Sequence, residues 1–361
     1  MTSGDPSIKN QINSAKEKVK SLQAEANIVQ QKKLDGFTGI DDLAKTQSQK
    51  TELPSFNSTP KLRRTLKGHF GKIYAMQWSC KENELVSASQ DGKLIIWNAY
   101  TNEKINAIAL RSSWVMTCCI EQVQGEMVAC GGLDNICTVY RINSVTDTVN
   151  QAHRELVGHE GYISCCRFIN NEKIITASGD STCVLWDVEV GTKICDFTAH
   201  EGDVMSLDIL PKIDSNMFVT GSCDTTARVW DIRTRQPCMT FRGHESDINS
   251  ITLFPDAKAI GTGSDDATCR IFDLRAYGQV SKFTNEKIIC GISSVTFSRS
   301  GRALFAGYDD YNCLGWDVLG SQSTPIYQLS GHENRISCIG MSASGDALCT
   351  VSWDATLKIW A

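Results

Sequence analysis

From residue 61 onward, apolar and polar residues alternate in short runs. "KIYAMQW" (72–78), "ELVSAS" (84–89) and "KLIIW" (93–97) are examples, separated by asparagine, glycine and aspartate. A period of two over about five residues, bounded by turn residues, predicts short strands and tight turns. The start of the chain has another period. Ile8, Ile12, Ala15, Val19, Leu22, Ala26 and Val29 are spaced alternately by four and three. Asp5-Pro6 supplies a cap and a first turn, and Gly36 a stop, so a helix is expected within 1–36. Its stripe fills two positions in seven, the seam of a coiled coil. So narrow a stripe does not hold a lone helix in water. It packs on the rest of the chain, self-associates or pairs with another protein's helix, and the pattern favours the last. Residues 37–60 read as an irregular connector, and 61–361 as one strand-rich domain.

The strands recur as a unit. "SGDSTCVLWD" (178–187), "SCDTTARVWD" (222–231) and "GSDDATCRIFD" (263–273) each carry an Asp with a large aromatic six positions later. The full set of pairs is Asp91/Trp97, Asp134/Tyr140, Asp180/Trp186, Asp224/Trp230, Asp266/Phe272, Asp310/Trp316 and Asp354/Trp360. Five units also have a Gly-His or Ala-His upstream, at His69, His159, His200, His244 and His332. A Gly-His…Trp-Asp unit of this period resembles the WD40 repeat, four strands per propeller blade. Seven units imply one closed ring. The resemblance also implies that His, a hydroxyl, Asp and Trp form a hydrogen-bonded set in each blade. Four residues before each Asp stand Ser87, Cys130, Thr176, Thr220, Thr262, Ala306 and Thr350. The second and sixth units lack both the hydroxyl and the His, as expected if each needs the other as a buried partner. These residues therefore read as structural. The last unit ends at its aromatic, so "PKLRRTLKGH" (60–69) is expected to supply the final blade's outer strand.

Composition narrows the function. The chain has 361 residues and a net charge of −5, with 41% apolar and 21% charged residues. That is a soluble globular balance with no basic bias toward nucleic acid. No signal peptide or membrane-length apolar run is evident. Sixteen cysteines without a Cys-x-x-Cys, most of them in apolar strands, read as small buried hydrophobes, so no metal or disulfide framework is expected. There is no phosphate-binding Gly-x-x-x-x-Gly-Lys-Ser/Thr and no nucleophile–base pairing, so neither an enzyme nor a cofactor is expected.

Function must then lie in the loops. The loop after each His and the turn at each Asp fall at the same end of an antiparallel blade. The first set contributes Lys72, Tyr74, Trp114, Met116, Tyr162, Asp203, Met205, Asp247, Asn249 and Arg335. The second contributes Gln90, Leu133, Gly179, Cys223, Asp265, Asp309 and Trp353. So many large apolar side chains at turns either pack inward or form an exposed patch, the mark of a protein-binding face.

Longer stretches carry a more specific resemblance. "LRSSWVMTC" (110–118), "ACGGLDNIC" (129–137), "GDVMSL" (202–207), "ESDINSI" (245–251), "TGSDDATCRIFDLRA" (262–276), "CGISSV" (290–295) and "WDATLKIWA" (353–361) closely resemble heterotrimeric G-protein β subunits. The resemblance implies a γ subunit on the leading helix. It also implies a propeller face that binds GDP-bound α and, after α leaves, effectors; a receptor is a further implied partner. It carries over as contact positions Lys72, Tyr74, Lys93, Lys104, Ser113, Trp114, Met116, Leu133, Asn135, Tyr162, Asp203, Met205, Cys223, Asp247, Asn249, Asp265 and Trp353. The chain departs from the family pattern at Trp97-Asn98, at Asn106 and in its longer connector. "KIWA" ends without a lipidation cysteine, so a cytoplasmic protein held at the inner plasma membrane through its partners is expected. The alternative is another WD40 scaffold, such as a ribosome-associated adaptor or a ubiquitin-ligase substrate receptor.

Overall fold

The structure, a computed structural model, describes residues 59–81, 83–142, 151–209, 216–320 and 323–361. The described residues form seven four-stranded antiparallel sheets, each made of consecutive strands except at the point of closure. This is the expected all-β, seven-bladed propeller. The helix expected within 1–36, the connector up to residue 58 and the seam residues from Ile8 to Val29 lie outside the described residues.

Each blade turns back at its repeated Asp for a local reason. The residue after that Asp is left-handed in every blade: Gly92, Asn135, Ser181, Thr225, Ala267, Tyr311 and Ala355 all have φ between 60° and 73°. For a residue other than glycine that costs about 1–2 kcal/mol. The Asp offsets it by accepting, through Oδ1, the backbone N–H two residues on, at 2.9–3.3 Å in all seven blades. Aspartate is therefore needed even where the His is missing.

The ring closes as expected. Leu62–Lys67 pairs with Thr356–Trp360, setting Leu66 against Leu357, so blade 7 joins the two ends of the propeller. Lys61 and Ala361 exchange both backbone hydrogen bonds at 3.1 Å. Blades 7 and 1 share one core, in which Leu66, Met76, Trp78 and Leu357 are buried together. Trp78 Nε1 crosses the junction to Gly340 O at 2.9 Å.

Inner strands are also stitched side by side. Gln77 accepts Ile120 N–H, Ser250 accepts Val295 N–H and Ser294 accepts Ile339 N–H, at 2.8, 3.1 and 3.1 Å. Between blades 4 and 5 an ionisable group does this work: Asp208 Oδ2 accepts Leu253 N–H at 2.9 Å. Burial pushes the Asp208 carboxyl up, against the opposing effects of Arg167 and its backbone donors. A carboxyl raised on folding contributes stability below its unfolded pKa, about 3.9, and loses it as pH rises through the folded value. Asp208→Asn keeps an acceptor for Leu253 N–H and removes the buried charge. It is expected to raise the melting temperature by a few degrees at pH 7–8 and to change it little near pH 4. Equal shifts at both pH values would contradict this.

Candidate functional site

The repeated polar set must first be separated from the candidate site, because its geometry imitates catalysis. In blade 1, His69 Nδ1 lies 3.0 Å from Asp91 and its Nε2 lies 2.8 Å from Ser87 Oγ. This is the order of a nucleophile, base and acid. The Ser87 hydroxyl, however, is wholly buried and accepts Trp97 Nε1–H at 2.8 Å. The same wiring recurs as His159–Asp180–Thr176–Trp186, His200–Asp224–Thr220–Trp230 and His332–Asp354–Thr350–Trp360, with every bond 2.7–2.9 Å. His244–Asp266–Thr262 completes blade 5, where Phe272 brings no N–H. One assignment satisfies every atom of a complete set. The indole donates to the hydroxyl, the hydroxyl to Nε2, and Nδ1–H to the carboxylate.

The set ties the outer loop of each blade to its inner turn. The carboxylate also accepts the backbone N–H just after each His, in Phe70, Glu160, Glu201, Glu245 and Glu333. Burial alone would raise these carboxyls, but the bonds from His200 and Thr226 hold Asp224 well below the usual carboxylate range. Asp266 and Asp354 behave alike, through His244 with Thr268 and His332 with Thr356. A depressed carboxyl stabilises above its unfolded pKa and loses that contribution as pH falls, so these sets weaken in acid. Burial pushes His159 down despite Asp180, which favours the neutral ring used above. His159→Ala or Thr176→Ala leaves part of a buried set unpaired and is expected to cost roughly 1–3 kcal/mol. Partner choice is expected to be unchanged; full thermal stability with selective loss of one partner would overturn the structural role.

The face expected from loop position is assembled by one repeated backbone bond. The residue before each Asp donates its N–H to the loop that follows the His. Gln90 bonds Lys72, Leu133 bonds Trp114, Gly179 bonds Tyr162, Cys223 bonds Asp203, Asp265 bonds Asp247, Asp309 bonds Gly291 and Trp353 bonds Arg335, all at 2.9–3.3 Å. The two sets of loop residues are therefore neighbours in every blade.

Their side chains divide into exposed and half-buried. Trp114 is 45% exposed and Leu133 52%. Trp114 also has φ 68°, and a side chain at Gly132 would run into its carbonyl at 2.1 Å. Glycine at 132 is thus what lets the strained Trp114 backbone approach so closely. Ser113 beside it is exposed, and Met116 is half-buried. Asn135 Nδ2 ties blade 2 to Glu160 O at 3.1 Å. Tyr162 lies over Gly179 and donates to Asp203 Oδ2 at 2.9 Å, with Met205 Sδ 3.4 Å away. Asn249 bridges Asp265 Oδ1, at 2.5 Å, and Ile292 O, at 3.0 Å. Burial and the neighbouring Asp247 push the Cys223 thiol up to about 12, which makes it a poor nucleophile. Tyr74 meets Trp353 edge-on, with ring centroids 5.8 Å apart. Lys72 adds positive charge near Trp353, whereas Asp203, Asp247 and Asp265 make the opposite side acidic. Lys93 and Lys104 stand apart on blade 1. Lys93 Nζ lies 5.5 Å from the Phe70 ring, and Lys104 reaches Gly68 O at 3.4 Å over the Trp97 ring.

Exposed residues that escaped the sequence reading include Phe70 (86%), Ile289 (92%) and Tyr311 (47%). Phe70 could have been found, because it takes the place after His that is Glu in the other four units with a His. Ile289 sits in the blade 6 loop, which has no His to anchor it.

A rigid ring with a wired interior and an aromatic, charge-divided face defines a WD-repeat propeller scaffold. Residues 16–361 match the family described as "G protein beta WD-40 repeat protein". A guanine nucleotide-binding protein subunit beta from Dictyostelium discoideum is 53% identical over 309 residues, covering 86% of this chain and 87% of that relative. The chain belongs to the G protein beta WD-40 repeat family. Among the described residues, no helix is long and apolar enough to cross a membrane.

Proposed function

We propose that this chain is a non-catalytic β subunit whose exposed face is used twice. A γ subunit pairs with the stripe from Ile8 to Val29, and GDP-bound α covers the face around Trp114, Leu133 and Trp353. Nucleotide exchange on α uncovers the same residues for effectors and leaves the propeller unchanged. The supporting observation is the outward-turned Trp114 beside Leu133, an exposed apolar pair built on a strained backbone at the rim of a rigid scaffold. Large aromatics of this kind dominate interface energies. The tetrad hydroxyls are buried and already bonded, which supports the absence of chemistry on this chain. Attachment to the inner face of the plasma membrane falls to lipidated partners. The test is affinity for an α subunit loaded with GDP and then with a GTP analogue. Strong binding only in the GDP form is expected, and equal affinity in both forms would refute the exchange mechanism.

A further inference from the structure

Trp353 is held unlike the tetrad indoles. Trp97, Trp186, Trp230 and Trp360 each donate Nε1–H to a hydroxyl. Trp353 Nε1 is buried with no hydrogen-bond acceptor among the described residues, so its ring orientation depends on ring contacts alone. Two of those contacts are cations: Lys72 Nζ lies 4.1 Å from the ring centroid and the Arg335 guanidinium 5.2 Å. Lys72 is a compact charge on a flexible stem, and its ammonium has no preferred plane. Arg335 is planar and ion-paired, with Nε 2.7 Å from Asp309 Oδ1, a contact held by charge without hydrogen-bond geometry, and both side chains about one-third exposed, at 34% and 33%. Asp309 is fixed in turn by its own N–H, bonded to Gly291 O at 3.2 Å. Burial, Asp265 and Asp310 all disfavour its charge, and Arg335 is what compensates it. The chain of contacts runs from blade 6 through blade 7 to blade 1.

We propose that Asp309 and Arg335 are positioning residues for the binding face. Their ion pair holds the guanidinium against the indole, and this presents Trp353 in the position that GDP-bound α takes. Asp309 acts through Arg335, with no need to touch the partner. The proposal rests on the functional reading above, so its test has a readout independent of binding.

The intact chain, co-expressed with a γ subunit and labelled with fluorotryptophan, gives a Trp353 fluorine NMR signal assigned by its loss in Trp353→Phe. Asp309→Asn is expected to shift or broaden that signal and to weaken binding of a GDP-loaded α subunit up to about fivefold. Asp309→Glu is expected to restore both. Asp309→Asn combined with Arg335→Ala is expected to bind no worse than Arg335→Ala alone, because the two act in series. An unmoved Trp353 signal in Asp309→Asn, or additive losses in the double variant, would overturn the proposal. If the signal moves while Trp353→Ala binds α·GDP like the wild type, the positioning stands and the reading of the face as the α site fails.

Discussion

Leu22→Asp is expected to abolish assembly with a γ subunit, and the yield of soluble propeller is expected to fall with it. Leu22 lies at the middle of the stripe from Ile8 to Val29, where a seam cannot open at one end to release it. A charge there must be buried unpaired, which costs several kcal/mol, or the helices must separate. A coiled coil of about three heptads has little stability in reserve. Leu22→Ile keeps the apolar volume and is expected to assemble normally, and removal of residues 1–36 is expected to match the aspartate variant. Co-expression with γ followed by size-exclusion chromatography decides the matter. Recovery of a stoichiometric complex from Leu22→Asp would place the seam elsewhere.

The propeller was legible because its repeat carries two separate physical demands on one residue. The Asp makes the turn in all seven blades, through bonds such as Asp134 to Ile136 and Asp310 to Asn312. In five blades it also holds a His. The turn demand preserves the period where the network is gone, so blades 2 and 6 could still be counted. The matched loss of His and hydroxyl in those blades has a visible consequence. With Ala306 in the hydroxyl position, Trp316 Nε1 has no Ser or Thr hydroxyl to donate to and faces the buried Tyr308 instead. The closing strand was legible for a related reason: the last repeat ends at its aromatic, and only 60–69 had a free strand pattern.

The site was legible in its positions and much less so in its contacts. Loop position brought Trp114, Leu133, Tyr162, Asp203 and Trp353 to one face, because a single backbone bond recurs in every blade. Which of them would be exposed depends on neighbours distant in the sequence. Tyr162 is drawn down onto Asp203 of the next blade, and the Trp114 backbone approaches Gly132 so closely that only glycine fits there. The stitching of inner strands is equally non-local. Gln77 serves Ile120, and Asp208 serves Leu253, by bonds that leave no periodic trace in the sequence. The ion pair of Asp309 and Arg335 belongs to the same class, since each residue reads from its own repeat as an isolated surface charge.

Trp353→Ala and Trp114→Ala, made separately, are each expected to leave the propeller folded and to weaken α·GDP binding about thirtyfold. Neither residue belongs to a tetrad or to the buried cores, so the fold has little to lose. Trp114 is nearly half exposed, at 45%, and its removal takes away apolar area offered to a partner. Trp353 is half-buried among Lys72, Arg335 and Tyr74, and its removal also takes away the ring over which Lys72 lies. A large aromatic anchor in an interface contributes about 2 kcal/mol, which is roughly thirtyfold in affinity. The two losses are expected to differ in character. Trp114→Ala should act mainly on dissociation, as removal of an apolar anchor does. Trp353→Ala frees Lys72 to move, and so should also alter the salt dependence of association. Under the proposed double use of this surface, both variants are expected to impair effector binding as well. Binding kinetics with GDP-loaded α at two salt concentrations, beside a melting curve, separate these outcomes. Wild-type affinity in both variants would mean that this face serves another partner. A lowered melting temperature equal to the binding loss would mean that the two tryptophans hold the loops together.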